Sequence, residues 1–155
     1  MWNKIKPYVI SIAIALAVGG LSAFFTRGNM NIYETLNRPA LSPPMWAFPV
    51  AWSILFVLMG ISSAMVYVKK NETDVSGALK IYALQLIVNF FWSIIFFNMQ
   101  AYLFAVIWLA LLWILILIMI ITFHKIKPLA AYLQIPYILW VSFAFYLTLM
   151  IYLLN

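Results

Sequence analysis

From Tyr102 to Phe123 the chain runs for 22 residues without a charge, an amide, a glycine or a proline. A helix that crosses the hydrocarbon core of a bilayer needs about 20 consecutive apolar residues, so this one stretch already requires a membrane. Four more runs have the same character, at 8–25, 45–68, 81–97 and 129–154. Composition agrees: charged residues make up 8% of the chain, against roughly 25% in a soluble domain. The expected fold is all-α, an integral membrane bundle of five transmembrane helices formed as one domain over 1–155.

The first run, 8–25, is just long enough to span. A basic start, an apolar run and Ser22-Ala23 also resemble a signal peptide. Against that, Ala15, Gly19 and Ala23 recur every four positions. That spacing lets a second helix approach closely, which a cleaved segment does not need. Gly60 and Ala64 repeat the pattern on the second run. Five crossings put the two termini on opposite sides. Lys4, Lys6, Lys69, Lys70, Lys80, Lys125 and Lys127 then share the N-terminal side, and only Arg27 and Arg38 face the other. Basic loops stay in the cytoplasm, so the N-terminus is expected there and the loop 26–44 outside. The net charge of +6 therefore describes orientation and gives no reason to expect nucleic acid as a partner.

Loop 26–44 ends in RPALSPPMWAFPVAW (38–52), where a rigid segment becomes a helix without a polar spacer. Pro39, Pro43 and Pro44 fix φ and lack N–H donors, so this part cannot be regular helix. A long ordered loop of this kind is often functional. We expect it to lie over the mouth of the bundle as a lid, with Trp46 at the boundary and Trp52 beneath. The plainer reading makes Trp46 part of an interfacial aromatic belt.

Polar residues inside the apolar runs carry the most information, because amides facing lipid are unfavourable. Gln85, Asn89 and Trp92 fall at i, i+4 and i+7 of the third run, one stripe of a helix. They read equally as interhelical hydrogen bonding or as the wall of a cavity that mixes aromatics with a few polar groups. On the fifth run Pro136, Trp140, Ala144 and Thr148 recur every four residues, and on the second Trp52, Phe56 and Gly60 form a similar line. Such a box suits a flat, largely apolar ligand. The chain has no cysteine, one histidine (His124) and three acids (Glu34, Glu72, Asp74). No metal site, nucleophile–base pair or carboxylate pair is expected.

In their order and spacing, RPALSPPMWAFPVAW (38–52), QLIVNFFWSIIFF (85–97), PLAAYL (128–133) and PYILWVSFA (136–144) resemble the TspO/MBR family. That family comprises bacterial tryptophan-rich sensory proteins and the mitochondrial translocator protein, also called the peripheral benzodiazepine receptor. The resemblance implies a five-helix protein of a bacterial cell membrane, often a homodimer. It also implies a pocket roofed by the first loop, with porphyrin, sterol or benzodiazepine-type ligands and a role in tetrapyrrole or stress regulation. Family pocket residues fall on Trp52, Asn89, Trp140 and Ala144, with Trp92, Phe104, Pro43, Pro44 and Trp46 as neighbours; Phe56 joins the candidate binding residues from its place in the Trp52–Phe56–Gly60 line. Trp52 and Trp140 match tryptophans tied in some members to light-dependent porphyrin breakdown. The alternatives to a binding protein are thus a porphyrin-degrading enzyme that uses Trp52 and Trp140, or a porphyrin or sterol transporter. Several positions depart from the pattern: Ile32 precedes Tyr33 where a tryptophan is usual, Leu41 replaces another, and Trp108 stands for an acid. Thr148 stands for an asparagine, and no basic residue follows Tyr152.

Overall fold

A computed structural model describes all residues from Met1 to Asn155. The chain is helical throughout, with helices α1 (Trp2–Thr26), α2 (Ile32–Thr35), α3 (Ala47–Tyr67), α4 (Ser76–Ser93), α5 (Tyr102–Ile126), α6 (Pro128–Tyr132) and α7 (Ile135–Leu154). A π-helical turn, Ile94–Asn98, extends α4. Five segments are long and apolar enough to cross a membrane: α1, α3, α4 with its π turn, α5, and α6 with α7.

Helix ends depart from the apolar boundaries where polar residues continue a turn beyond the lipid. α1 begins at Trp2 and not Tyr8, with Pro7 inside it. A proline so near the start removes only one early hydrogen bond. α4 begins at Ser76, five residues before Ile81, because the Asp74 carboxylate accepts the Ser76 N–H at 3.0 Å. That bond holds the Asp74 carboxyl below its ordinary range. At the far end the i→i−5 bond from Met99 N–H to Ile94 O closes the π turn, and Gln100 takes a positive φ of 51° to reverse the chain into α5. The last crossing is interrupted at Leu133 and Gln134. Pro136 lacks the N–H that would bond to Tyr132 O, so the helix breaks one turn earlier.

α5 supplies much of the core, burying Leu109, Leu112, Ile116, Met119 and Phe123. α1 lies along α3, and two glycines set that approach. A Cβ on Gly60 would stand 2.5 Å from the Ile12 Cα, and one on Gly19 would stand 2.5 Å from the Phe56 ring. α1 also touches α4 through Ser22 Oγ, which donates to Phe90 O at 3.1 Å. Trp108, on α5, donates its indole N–H to Val88 O at 2.7 Å. It therefore joins α5 to α4.

Loop 26–44 is fastened at two places, to Asn98 and Asn155, and braced across itself at a third. Asn29 Nδ2 donates to Asn98 Oδ1 at 2.7 Å. Tyr33, 1% exposed, donates its hydroxyl to Pro43 O at 2.8 Å. Asn37 and Asn155 exchange hydrogen bonds, Asn37 N–H to Asn155 Oδ1 and Asn155 Nδ2 to Asn37 O.

Candidate functional site: an aromatic cavity beneath the loop

Under the loop the bundle encloses a cavity of about 240 Å³. α1 contributes its second half, the loop gives Met30 and Tyr33, and α3 gives Phe48, Trp52 and Phe56. α4 and the π turn give Asn89, Trp92, Phe96 and Phe97, and α7 gives Ala144, Leu147 and Thr148. The π turn matters here, since an extra residue in one turn lets the consecutive Phe96 and Phe97 both reach this wall. None of the lining residues is ionisable apart from the Tyr33 phenol. The two cations of the loop rest on aromatic rings. Arg27 lies over the Phe24 ring at 3.8 Å and Arg38 over the Tyr33 ring at 4.4 Å.

Aromatic rings set the shape. Trp52 stands at the centre of a cluster, 5.7 Å from Phe56, 6.2 Å from Tyr137 and 6.5 Å from Trp140, ring centre to ring centre. Trp92 stacks on Phe96 at 5.4 Å and 24°. The indole N–H groups of Trp92 and Trp140 are buried without a protein acceptor.

The polar floor is a chain of three residues. Asn89 Nδ2 donates to the Tyr137 hydroxyl at 2.6 Å, and that hydroxyl donates to Gln85 Oε1 at 2.7 Å. Gln85 and Tyr137 are at most 1% exposed. Gln85 thus ties α4 to α7 outside the cavity, while Asn89 is both tie and wall. The two readings of the amide stripe divide between its members.

The structure brings Trp52, Phe56, Asn89, Trp92 and Ala144 to one cavity. Trp140 is half-buried behind Trp52 and supports it from outside the wall. Pro43 and Pro44 do not line the cavity. Pro43 acts through its carbonyl, which holds Tyr33. Trp46 is 69% exposed and faces away from the bundle, where its position suits the belt reading. Phe104 is 49% exposed. It borders a separate open groove with Tyr102, Tyr152 and Leu153. Pro136 is exposed, and the inward line of α7 runs through Tyr137, Val141, Ala144 and Thr148.

Tyr137, Tyr33, Phe48, Phe96 and Phe97 escaped the sequence reading. Tyr137 carried one signal: it stands one residue after a mid-span proline, where a polar aromatic must find a partner once buried. The others look like any aromatic in an apolar run.

The chain matches the TspO/MBR family over residues 11–154. It is 40% identical to the tryptophan-rich protein TspO of Chlorobaculum tepidum, across 100% of this chain and 99% of that one. It is 36% identical to the protein CrtK of Rhodobacter capsulatus, across 96% and 90%. With the translocator protein of Bos taurus it shares 31%, across 89% and 85%.

Proposed function

The chain belongs to the TspO/MBR family, and from that premise we propose that it is a membrane-embedded binding protein for a flat, largely apolar ligand of the porphyrin type. The observation that carries this reading is the uncharged cavity with Trp52, Phe56, Trp92 and Phe96 in its walls and one amide, Asn89, at its floor. Rings of this kind bind a planar π system by stacking and edge contacts. The amide and the unpaired indole N–H of Trp92 supply the few polar contacts that orient it. The site residues in this proposal are Trp52, Phe56, Asn89, Trp92 and Ala144, with Trp140 behind Trp52 and Pro43 and Pro44 holding the loop.

Size limits the pose. Pockets that take drug-sized ligands measure about 300–1,000 Å³, and this cavity is about 240 Å³. It seats part of a tetrapyrrole, and carboxylate side chains stay outside it. Arg27 or Arg38 at the loop would meet them, since a guanidinium pairs with a carboxylate through two parallel hydrogen bonds. A sterol or benzodiazepine-type ligand is the next choice for the same apolar walls. The proposal includes a homodimer in a bacterial cell membrane, with the lysine-rich end of the bundle, including the N-terminus, in the cytoplasm.

A second reading rests on the contact of Trp52 with Trp140 at 6.5 Å. Two adjacent indoles beside a bound porphyrin suit light- and oxygen-dependent breakdown of that porphyrin. Titration of the purified protein with protoporphyrin, followed by tryptophan fluorescence, separates the readings when run in darkness and in light. Binding predicts saturable quenching with a stable porphyrin spectrum, and breakdown predicts loss of porphyrin absorbance only in light. Absence of saturable quenching under both conditions overturns the porphyrin reading.

A further inference from the structure

The cavity has two sides that could admit a ligand, and they differ in what must break. On the loop side, opening requires loss of the Asn29–Asn98 and Asn37–Asn155 hydrogen bonds. On the side between α1 and α3, no hydrogen bond joins the walls. Leu16, Gly20 and Ala23 on α1 and Pro49 and Ser53 on α3 all line the cavity. All five are also exposed on the outside of the bundle. A residue exposed outside that also lines a cavity inside stands at its rim. The two stripes follow helical spacing, i, i+4, i+7 and i, i+4, so they form facing edges of one slot.

Depth places this slot in lipid. Gly20 is six residues from the end of α1, and Ser53 is six residues from the start of α3. Each is about 9 Å inside its helix end. The edges contain no charge, and the Ser53 hydroxyl donates to Pro49 O at 2.7 Å, so it offers no unpaired polar group to lipid. Deeper in the bundle the slot closes where Phe56 packs on Gly19 and Ile12 on Gly60. A Cβ on Gly20 meets no atom within 4 Å, so nothing packs on α1 at this position.

We propose that the cavity is loaded sideways from the bilayer, through the slot between α1 and α3, by an apolar ligand already dissolved among the acyl chains. The inference rests on the binding function proposed above but concerns the route. An entrance changes the path and neither end state. Obstructing it therefore slows association and dissociation in equal proportion.

The chain has no cysteine, so Gly20→Cys and Ser53→Cys each provide a single thiol. Each variant, in phosphatidylcholine vesicles, is treated with a lipid-soluble benzyl thiosulfonate or with a charged, impermeant one. Reaction with the lipid-soluble reagent alone is expected. Reaction with the charged reagent at an equal rate overturns the slot as a lipid-facing opening. The benzyl plug should then slow protoporphyrin association and release, each by at least about tenfold, with rates restored by a reductant. Unchanged rates in the plugged protein overturn the proposal. So do spontaneous disulfide dimers through Ser53→Cys, which place a second copy over the slot. The thiol reactions use no porphyrin. Failure of the wild type to bind porphyrin would thus sink the proposed function and leave the slot decided by labelling.

Discussion

Tyr137 connects two helices through one hydroxyl, accepting from Asn89 and donating to Gln85. Tyr137→Phe keeps the ring and removes both bonds. Interhelical hydrogen bonds within bilayers average only about 0.6 kcal/mol. Here, however, both amides would remain buried without that partner, which costs about 1–3 kcal/mol. The second effect decides, so unfolding in a denaturing detergent should lose at least about 1 kcal/mol. Ala144 and Trp140 test the cavity itself. Ala144 is 4% exposed and lines the wall. Ala144→Phe should abolish protoporphyrin quenching by filling the space, with strain of about 1–3 kcal/mol in a close-packed interior. Trp140→Phe should weaken binding less, because it removes the support behind Trp52 and leaves the wall in place. Equal affinity in Ala144→Phe and wild type would place the ligand elsewhere.

At the scale of elements, the α1–α3 contact depends on single atoms. Gly60→Ala sets a methyl against the Ile12 backbone, which cannot rotate aside. Its helix-propensity gain of up to about 1 kcal/mol is smaller than the separation it forces on the two helices, so a net loss of about 1–2 kcal/mol is expected. Gly20→Ala meets open space and should be neutral or stabilising by up to about 1 kcal/mol. Thermal unfolding of the pair checks this, and similar melting of both variants would mean that α1 and α3 pack more loosely. The start of α4 responds to pH. Its Asp74 carboxyl is held low by the Ser76 N–H. A group depressed in the folded state stabilises above its ordinary pKa and loses that effect as pH falls through the lower folded value. Protection of the Ser76–Leu79 amides from exchange should therefore fall below the ordinary carboxylate range in wild type. In Asp74→Asn it should show no such carboxylate step.

For the whole molecule, orientation is the property most open to measurement. The up-and-down order of the five crossings puts Lys4, Lys69, Lys80 and Lys127 at one end and the loop with Arg27 and Arg38 at the other. An impermeant amine reagent applied to intact cells should leave those lysines unmodified and reach them after lysis. Modification of Lys69 or Lys70 in intact cells would reverse the proposed topology.

What the sequence determined by itself was whatever lipid makes unfavourable. Charges and loop lysines marked the ends of the crossings. Gln85 and Asn89 marked an inward stripe because an amide facing hydrocarbon has no partner. What only the tertiary structure decided was the direction of the apolar residues. Phe96 faces a cavity and Phe104 faces outward, yet nothing in their neighbours distinguishes them. In water, burial sorts apolar from polar side chains and leaves a readable periodicity. Lipid is as apolar as the core, so that sorting vanishes and packing alone assigns each ring its side. The cavity's volume, the support of Trp52 by Trp140, and the slot between α1 and α3 all depend on that packing.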